Sequence, residues 1–231
     1  MLEKLNLHRS IQTIARLVLA EIPAHITAQD TEASIAIKAT ELMALHGIHT
    51  TWYYDYPAFV LLGSRSQLSI SGRDYVPSTE FVGENNLVTI DLSPSQGGVW
   101  GDCARTICIE NGCVTNAPVS VEFQRGLIAE QTLHAELCEI ARPDMTGAAL
   151  FDWANARIKA LGFRNLDFLG NVGHSIATRR KDRFFIEQGQ QQCLGDLMCF
   201  TFEPHIASDD RWGFKHEEIY AFDADGLLSA I

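Results

Sequence analysis

No stretch of 18 apolar residues occurs anywhere in this 231-residue chain, so no membrane-spanning helix is expected. The opening segment MLEKLNLHRSIQTIARLVLAEI carries Glu3, Lys4 and Arg9 among its apolar positions and lacks the uninterrupted core of a signal peptide. Cysteine pairing motifs are missing too. Cys103, Cys108, Cys113, Cys138, Cys193 and Cys199 form no CxxC pair and are scattered through apolar runs such as TICIENGCV and LMCFTF. They are expected to be reduced, mostly core-packed thiols of a cytoplasmic protein. Cys103 stands apart because it follows Asp102 and could line a site. Positive charge is scarce: 18 Lys and Arg against 29 Asp and Glu give a net charge of -11, which argues against nucleic acid or an anionic membrane as partner. Linkers, low-complexity tracts and short repeats are also absent, so one domain over 1–231 is expected.

The pattern that is present alternates helices and strands. Leu5, Ile11, Ile14, Leu17 and Leu19 recur at three- and four-residue spacing and predict an amphipathic helix over the first 20 or so residues. Asp30-Thr31-Glu32 offers cap chemistry for a second helix, which runs through SIAIKATELMALH and stops at Gly47. TTWYYDYPAFVLLG is rich in β-branched and aromatic residues and predicts a strand. Residues 64–85 predict a loop broken by Gly72, Pro77 and Gly83. LVTIDLSP (87–94) predicts a short apolar strand; GGVWGDCARTICIENGCV predicts two more around a bend, with Asn111-Gly112 as a turn. Helices are expected over 119–141 and roughly 146–161, ending before Pro143 and Gly162. NVGHSIA predicts a turn into a strand, DLMCFTFEPHI (196–206) a strand, and KHEEIYAF (215–222) the last strand. The span from Glu203 to Glu217 suggests an antiparallel hairpin. Helix, helix, strands, repeated once, predicts an α+β protein of two similar halves.

Five potential metal ligands stand in order: Asp91, Asp102, His174, Glu203 and Glu217. Their segments, TIDLSP, WGDCARTI, GNVGHSIA, FTFEPHI and GFKHEEIYAF, are apolar or contain glycine. A carboxylate on a buried strand costs several kcal/mol unless it is paired or binds a metal. Four carboxylates and an imidazole make a hard, oxygen-rich set suited to Mn, Fe(II), Co or Zn. Five ligands exceed the three that one catalytic zinc usually keeps, and match two carboxylate-bridged metals.

In these contexts the ordered set resembles the metallopeptidase family of methionine aminopeptidase, aminopeptidase P, prolidase and creatinase. Asp91 and Asp102 are eleven positions apart, as in that family. Gly101, Asp102, Arg105 and Thr106, with Glu218 after Glu217, look like its Xaa-Pro aminopeptidase and prolidase branch. The resemblance covers roughly residues 10–222. It implies the pita-bread fold, two pseudo-symmetric halves with helices over a curved antiparallel sheet, and two divalent metals, Mn favoured. Asp91 would chelate one metal, Asp102 and Glu217 would bridge both, and His174 and Glu203 would complete the other. A bridging hydroxide would be the nucleophile, with Glu203 as proton shuttle.

Two histidines of the family pattern are replaced. Ser71-Gly72 stands where one is expected before Asp91, and Lys181 stands seven residues after His174. In the family they contact the scissile peptide and its oxyanion. The basic run Arg179, Arg180, Lys181, Arg183 offers an anion clamp instead, with Arg179 and Lys181 as candidate substrate contacts. His205 would share the face of Glu203 in a regular strand, whereas His216 would point away from the Glu217 face. Arg65 and Trp52-Tyr53-Tyr54 are candidates for the pocket mouth.

The implied activity is that of a metal-dependent hydrolase, an aminopeptidase of the Xaa-Pro type. The alternative is an enzyme acting on a small C–N compound, as creatinase does. A non-catalytic binding module of the same fold is a third reading, opposed by the retention of all five ligands. The expected partner is a peptide or small amide substrate. Monomer and homodimer are both compatible with the sequence.

Overall fold

The structure, a computed structural model, describes residues 2–231. Helices α1 (Leu2–Glu21) and α2 (Glu32–Leu45) come first. Thr31 caps α2: its side chain accepts from the Ser34 backbone, and Ser34 returns the bond to the Thr31 N–H. Gly47, at φ +84°, ends the helical segment, a conformation that costs a side-chain-bearing residue.

Seven strands follow: β1 (Thr50–Thr51), β2 (Ala58–Leu62), β3 (Asn86–Leu92), β4 (Pro94–Gln96), β5 (Val99–Trp100), β6 (Cys103–Glu110) and β7 (Cys113–Thr115). The order β2-β3-β6-β7 makes a four-stranded antiparallel sheet, in which Asp91 lies opposite Ala104. The strand expected over TTWYYDYPAFVLLG is interrupted. Trp52-Tyr53-Tyr54 form a turn with Tyr54 at φ +46°, and this turn carries the three rings out to a cavity wall.

Strand period sets which residues reach that cavity. Val88, Ile90 and Leu92 of β3 point into a core shared with Ile11, Val18, Ile35 and Met43 of α1 and α2. Thr89 and Asp91 point the other way, and both line the cavity.

The second half repeats the plan. Helices α3 (Val121–Ile140) and α4 (Gly147–Ala160) pack Leu133, Leu137, Leu150 and Ala154 against Phe200, Phe202 and Ile206. Its strands are β8 (Arg164–Asn165), β9 (Phe200–Phe202), β10 (His205–Ala207), β11 (Phe214–Lys215), β12 (Glu218–Phe222) and β13 (Leu228–Ala230). Both arms of the expected hairpin are present and antiparallel, but each is broken. Pro204, which lacks an N–H, separates β9 from β10, and His216-Glu217 separates β11 from β12. The pieces join two different sheets, β11-β10-β8 and β13-β12-β9. Glu203 and Glu217 therefore sit at the crossovers, where their side chains need not follow a sheet face. KHEEIYAF is not the last strand: Asp223–Gly226 turns the chain back, and β13 pairs with β12.

Among the described residues no helix is long and apolar enough to cross a membrane. Of the cysteines, only Cys103, Cys108 and Cys199 are buried; Cys113 and Cys138 are exposed and Cys193 is intermediate, so core packing holds for half of them. The exposed pair lie where apolar flanks suggested burial, on the short β7 and on the outer side of α3.

Away from the five candidate ligands, Glu130 is a buried acid without a hydrogen-bond partner among the described residues. It lies on the inner face of α3 with Phe123, Ala129 and Leu133. Burial pushes its carboxyl well above the usual carboxylate range. It then keeps its proton in the folded state and loses it in the unfolded state, so stability falls as pH rises from about 4.3 toward the folded value. Glu130→Leu is expected to be the more stable protein at pH 7. Its advantage should shrink by about 1.4 kcal/mol per pH unit on acidifying toward that lower limit. Denaturant titrations at pH 5, 6 and 7 would show this; a constant difference would mean that Glu130 is not held neutral.

Candidate metal centre

The five ordered residues converge on a cavity of about 550 Å³. Asp91 comes from the end of β3, Asp102 from the residue before β6, His174 from the segment bridged to β9, and Glu203 and Glu217 from the two crossovers. His174 Nε2 lies 3.4 Å from Asp102 Oδ2 and 3.6 Å from Glu203 Oε1. Ligand atoms of Asp102, His174 and Glu217 all fall within 4.8 Å of one another, and all three residues are buried.

Backbone contacts hold this arrangement. Gln12 of α1 brackets Asp102: its amide donates to Asp102 O at 2.8 Å and accepts from Asp102 N at 2.8 Å. A bridge between Ala104 and Glu217 ties β6 to the second half. Gly173 lets the His174 strand lie against β9, because a Cβ at this position would collide with the Thr201 carbonyl.

The tautomer of His174 follows from its neighbours. Nδ1 is 3.1 Å from the Ser175 carbonyl, which can only accept, so Nδ1 carries the proton. Nε2 then presents a lone pair toward the carboxylates, the orientation a metal-ligating imidazole needs. Arg183 Nη1 donates to that lone pair at 3.1 Å.

The carboxylates are unequal. Burial raises Asp102 to about 6 and pushes Glu217 well above the usual range, helped by Asp102 and Glu203. Burial pushes Glu203 up as well, but the Lys215 ammonium outweighs it, and its carboxyl titrates below the usual value. Asp102 Oδ2 and both carboxyl oxygens of Glu217 have no hydrogen-bond partner among the described residues. Buried carboxylate oxygens without donors are expensive, and a divalent cation is what this donor set fits.

Lys215 brings a cation that the spacing of ligands did not suggest. Its Nζ lies 2.6 Å from Asp91 Oδ2, 3.1 Å from Glu203 Oε2 and 3.3 Å from Glu217 Oε2. No local spacing indicates this contact, because Lys215 ends β11 and Glu217 lies in the break before β12.

The candidate substrate contacts separate. Ser71 and His205 line the cavity. His205 is already engaged, with Nε2 2.6 Å from Ser66 O. Arg179 and Lys181 do not reach the cavity. Arg179 is paired with Asp182 at 2.5 Å, and both Arg179 and Lys181 are exposed. Arg183, from the same basic run, does reach it. Its guanidinium carbon sits 4.9 Å from the Trp52 ring and 5.1 Å from the Phe185 ring, and its side-chain nitrogens contact Arg180 O and His174 Nε2. A short 3-10 turn, Arg180–Asp182, separates Arg179 from Arg183, and of the two Arg183 lines the cavity. His216 stacks on His134 at 4.0 Å, away from the cavity, as strand alternation required. Two further placements differ from expectation: Arg65 pairs with buried Glu32 at 2.8 Å, and Cys103 Sγ faces Glu218 and Arg105.

The profile of Metallopeptidase family M24 matches residues 6–224. "Probable dipeptidase PepE" of Mycobacterium bovis is 26% identical over 213 residues, covering 92% of this chain and 52% of that protein. "Xaa-Pro dipeptidase" of Lactobacillus helveticus is 26% identical over 151 residues, covering 65% of this chain and 39% of that protein. The chain thus spans about half, or less, of the length of these curated relatives. Among solved structures, X-Pro aminopeptidase from Thermotoga maritima superposes with a TM-score of 0.83 at 20% identity, over 100% of this chain and 61% of that one. Methionine aminopeptidase from Rickettsia prowazekii gives a TM-score of 0.80 at 14% identity, over 100% of this chain and 97% of that one. These superpositions establish the pita-bread fold, with its paired halves and antiparallel sheets. With the family match running over almost the whole chain, this protein belongs to Metallopeptidase family M24.

Proposed function

We propose that residues 1–231 form one catalytic domain of a metal-dependent peptidase that hydrolyses the amide bond of a short peptide with a free carboxylate. A dipeptide of the Xaa-Pro kind is the substrate best supported. The observation that carries this reading is the junction of two features in one cavity. Among the described residues, carboxylate oxygens of Asp102 and Glu217 that lack hydrogen-bond partners lie near His174, and the Arg183 guanidinium stands beside His174 with no anion as its hydrogen-bond partner. The names of the relatives, dipeptidase and Xaa-Pro dipeptidase, point the same way.

A divalent metal, when bound, would supply a Lewis acid and lower the pKa of a water molecule. Asp102, His174 and Glu217 would hold it, with Asp91 and Glu203 at the edge of the set. Glu203, ionised and facing the cavity, would take up a proton and return it to the leaving amine. Arg183, clamped between Trp52 and Phe185, would leave His174 for the substrate carboxylate, to which a guanidinium can donate in parallel. Ser71 lines the wall where the resemblance places a histidine. The apolar side chains of Phe59, Leu61, Leu68 and Ile70 would take the substrate's apolar body.

The test is a panel of Xaa-Pro and Xaa-Ala dipeptides, each as free acid and as C-terminal amide, incubated with Mn-loaded protein and read by mass spectrometry. Cleavage of the free acids, at least about tenfold faster than of the amides, is expected from the loss of one charge-assisted pair. Release of N-terminal residues from long peptides, with dipeptides untouched, would establish an aminopeptidase instead. Cleavage of neither class by metal-loaded protein would transfer the assignment to another small C–N compound.

A further inference from the structure

A cation already standing among five donors competes with a second metal for them. Here there is one. Lys215 Nζ contacts Asp91 Oδ2 at 2.6 Å, Glu203 Oε2 at 3.1 Å and Glu217 Oε2 at 3.3 Å. A lysine ammonium is a compact point charge with three donors, and three carboxylates surround this one. The donors that remain clustered are Asp102, His174 and Glu217. Glu217 belongs to both groups: Oε2 faces the ammonium, and both of its oxygens lack hydrogen-bond partners among the described residues. The ligand set is therefore divided into a half built around Lys215 and a half built for a metal. Three protein ligands with an open position is the usual composition of a catalytic one-metal site.

We infer that Lys215 takes the place of a second metal, so that this centre holds one divalent ion. Electrostatics favours the same division, because a second dication would have to share Asp91, Glu203 and Glu217 with the Lys215 ammonium and would be repelled by it. That repulsion should weaken the second site by roughly a hundredfold or more. Asp91 becomes a partner of Lys215 rather than a ligand, and Glu217 links the ammonium to the metal. The inference rests on the proposed metal centre but is independent of the substrate.

Metal content decides it without any assay of hydrolysis. The whole chain, as wild type, Lys215→Met and Asp91→Asn, is loaded with Mn(II), dialysed, and measured by elemental analysis and electron paramagnetic resonance. The wild type is expected to hold one Mn(II) per chain with an uncoupled six-line spectrum. Lys215→Met is expected to hold two, with a spin-coupled signal. Asp91→Asn, which tests the idea even if Lys215→Met does not fold, should keep its single ion with affinity lowered by no more than about 10–100-fold, the range for a residue beside the ligands rather than among them. Two coupled ions in the wild type would overturn the inference, as would one ion in a folded Lys215→Met or loss of the ion from Asp91→Asn. No bound metal in any protein would overturn the metal-centre reading itself, and this inference with it.

Discussion

Glu203→Gln is expected to lower turnover of a cleaved dipeptide by about 10²–10⁴-fold, the range for losing a positioned general acid–base group. The case rests on where this carboxylate stands. Its side chain is 23% exposed, the same as Asp91, while Glu217 is 1% exposed. It lines the cavity, and its Oε1 accepts from Thr201 Oγ1 at 3.3 Å. Lys215 holds it ionised below the usual carboxylate pKa, so it has proton-accepting capacity at neutral pH. Glutamine keeps the shape and one acceptor oxygen but cannot carry the proton. The variant should therefore retain a metal content close to wild type while losing kcat. Activity of the wild type should fall as pH drops through the pKa of this group, and the variant should lack that limb. Steady-state kinetics beside elemental analysis would check both. A metal-loaded variant with unchanged kcat would remove Glu203 from the proton-transfer role.

Glu218→Ala is expected to cost about 3–5 kcal/mol of folding stability, the range for breaking a buried ion pair by removing one partner. Glu218 is buried and accepts from Arg16 Nε at 2.9 Å and Nη2 at 2.6 Å, from Arg105, and from Gln12 Nε2 at 3.0 Å. Its removal strands two guanidinium groups beside a cavity. They are 32% and 29% exposed, so water partly relieves them, and the loss should lie at the lower end of that range. Burial would raise the Glu218 carboxyl, but Arg16 and Arg105 overcome this and hold it below its ordinary value. A depressed carboxylate stabilises the fold above its unfolded pKa, and that contribution is lost as pH falls through the folded pKa. The gap between wild type and variant should therefore be full at pH 7 and shrink below about pH 4.3. Metal affinity should fall as well, because Gln12 joins Glu218 to the backbone of Asp102. Urea titrations at pH 7 and pH 4, with and without chelator, would measure this. A loss below about 1 kcal/mol would mean that water fully replaces the network.

The sequence by itself determined the helices, the Asn111-Gly112 turn, the doubled helix–helix–strands plan and the ordered set of five candidate ligands. These are local properties. Apolar period, cap residues and turn residues act over a few positions, and an isolated carboxylate in an apolar segment is conspicuous before anything folds. Only the tertiary structure decided which charges meet. Lys215 reaches Asp91 across 124 positions, and Arg16 reaches Glu218 across 202. Arg183 was one of four basic residues in a run, and its selection over Arg179 and Lys181 depended on a loop turning between Trp52 and Phe185. The breaks at Pro204 and His216-Glu217 likewise follow from each hairpin arm entering two sheets, a matter of long-range pairing. Composition can supply ligands, but the placement of a counter-ion among them depends on register between distant strands, and no local pattern encodes that register.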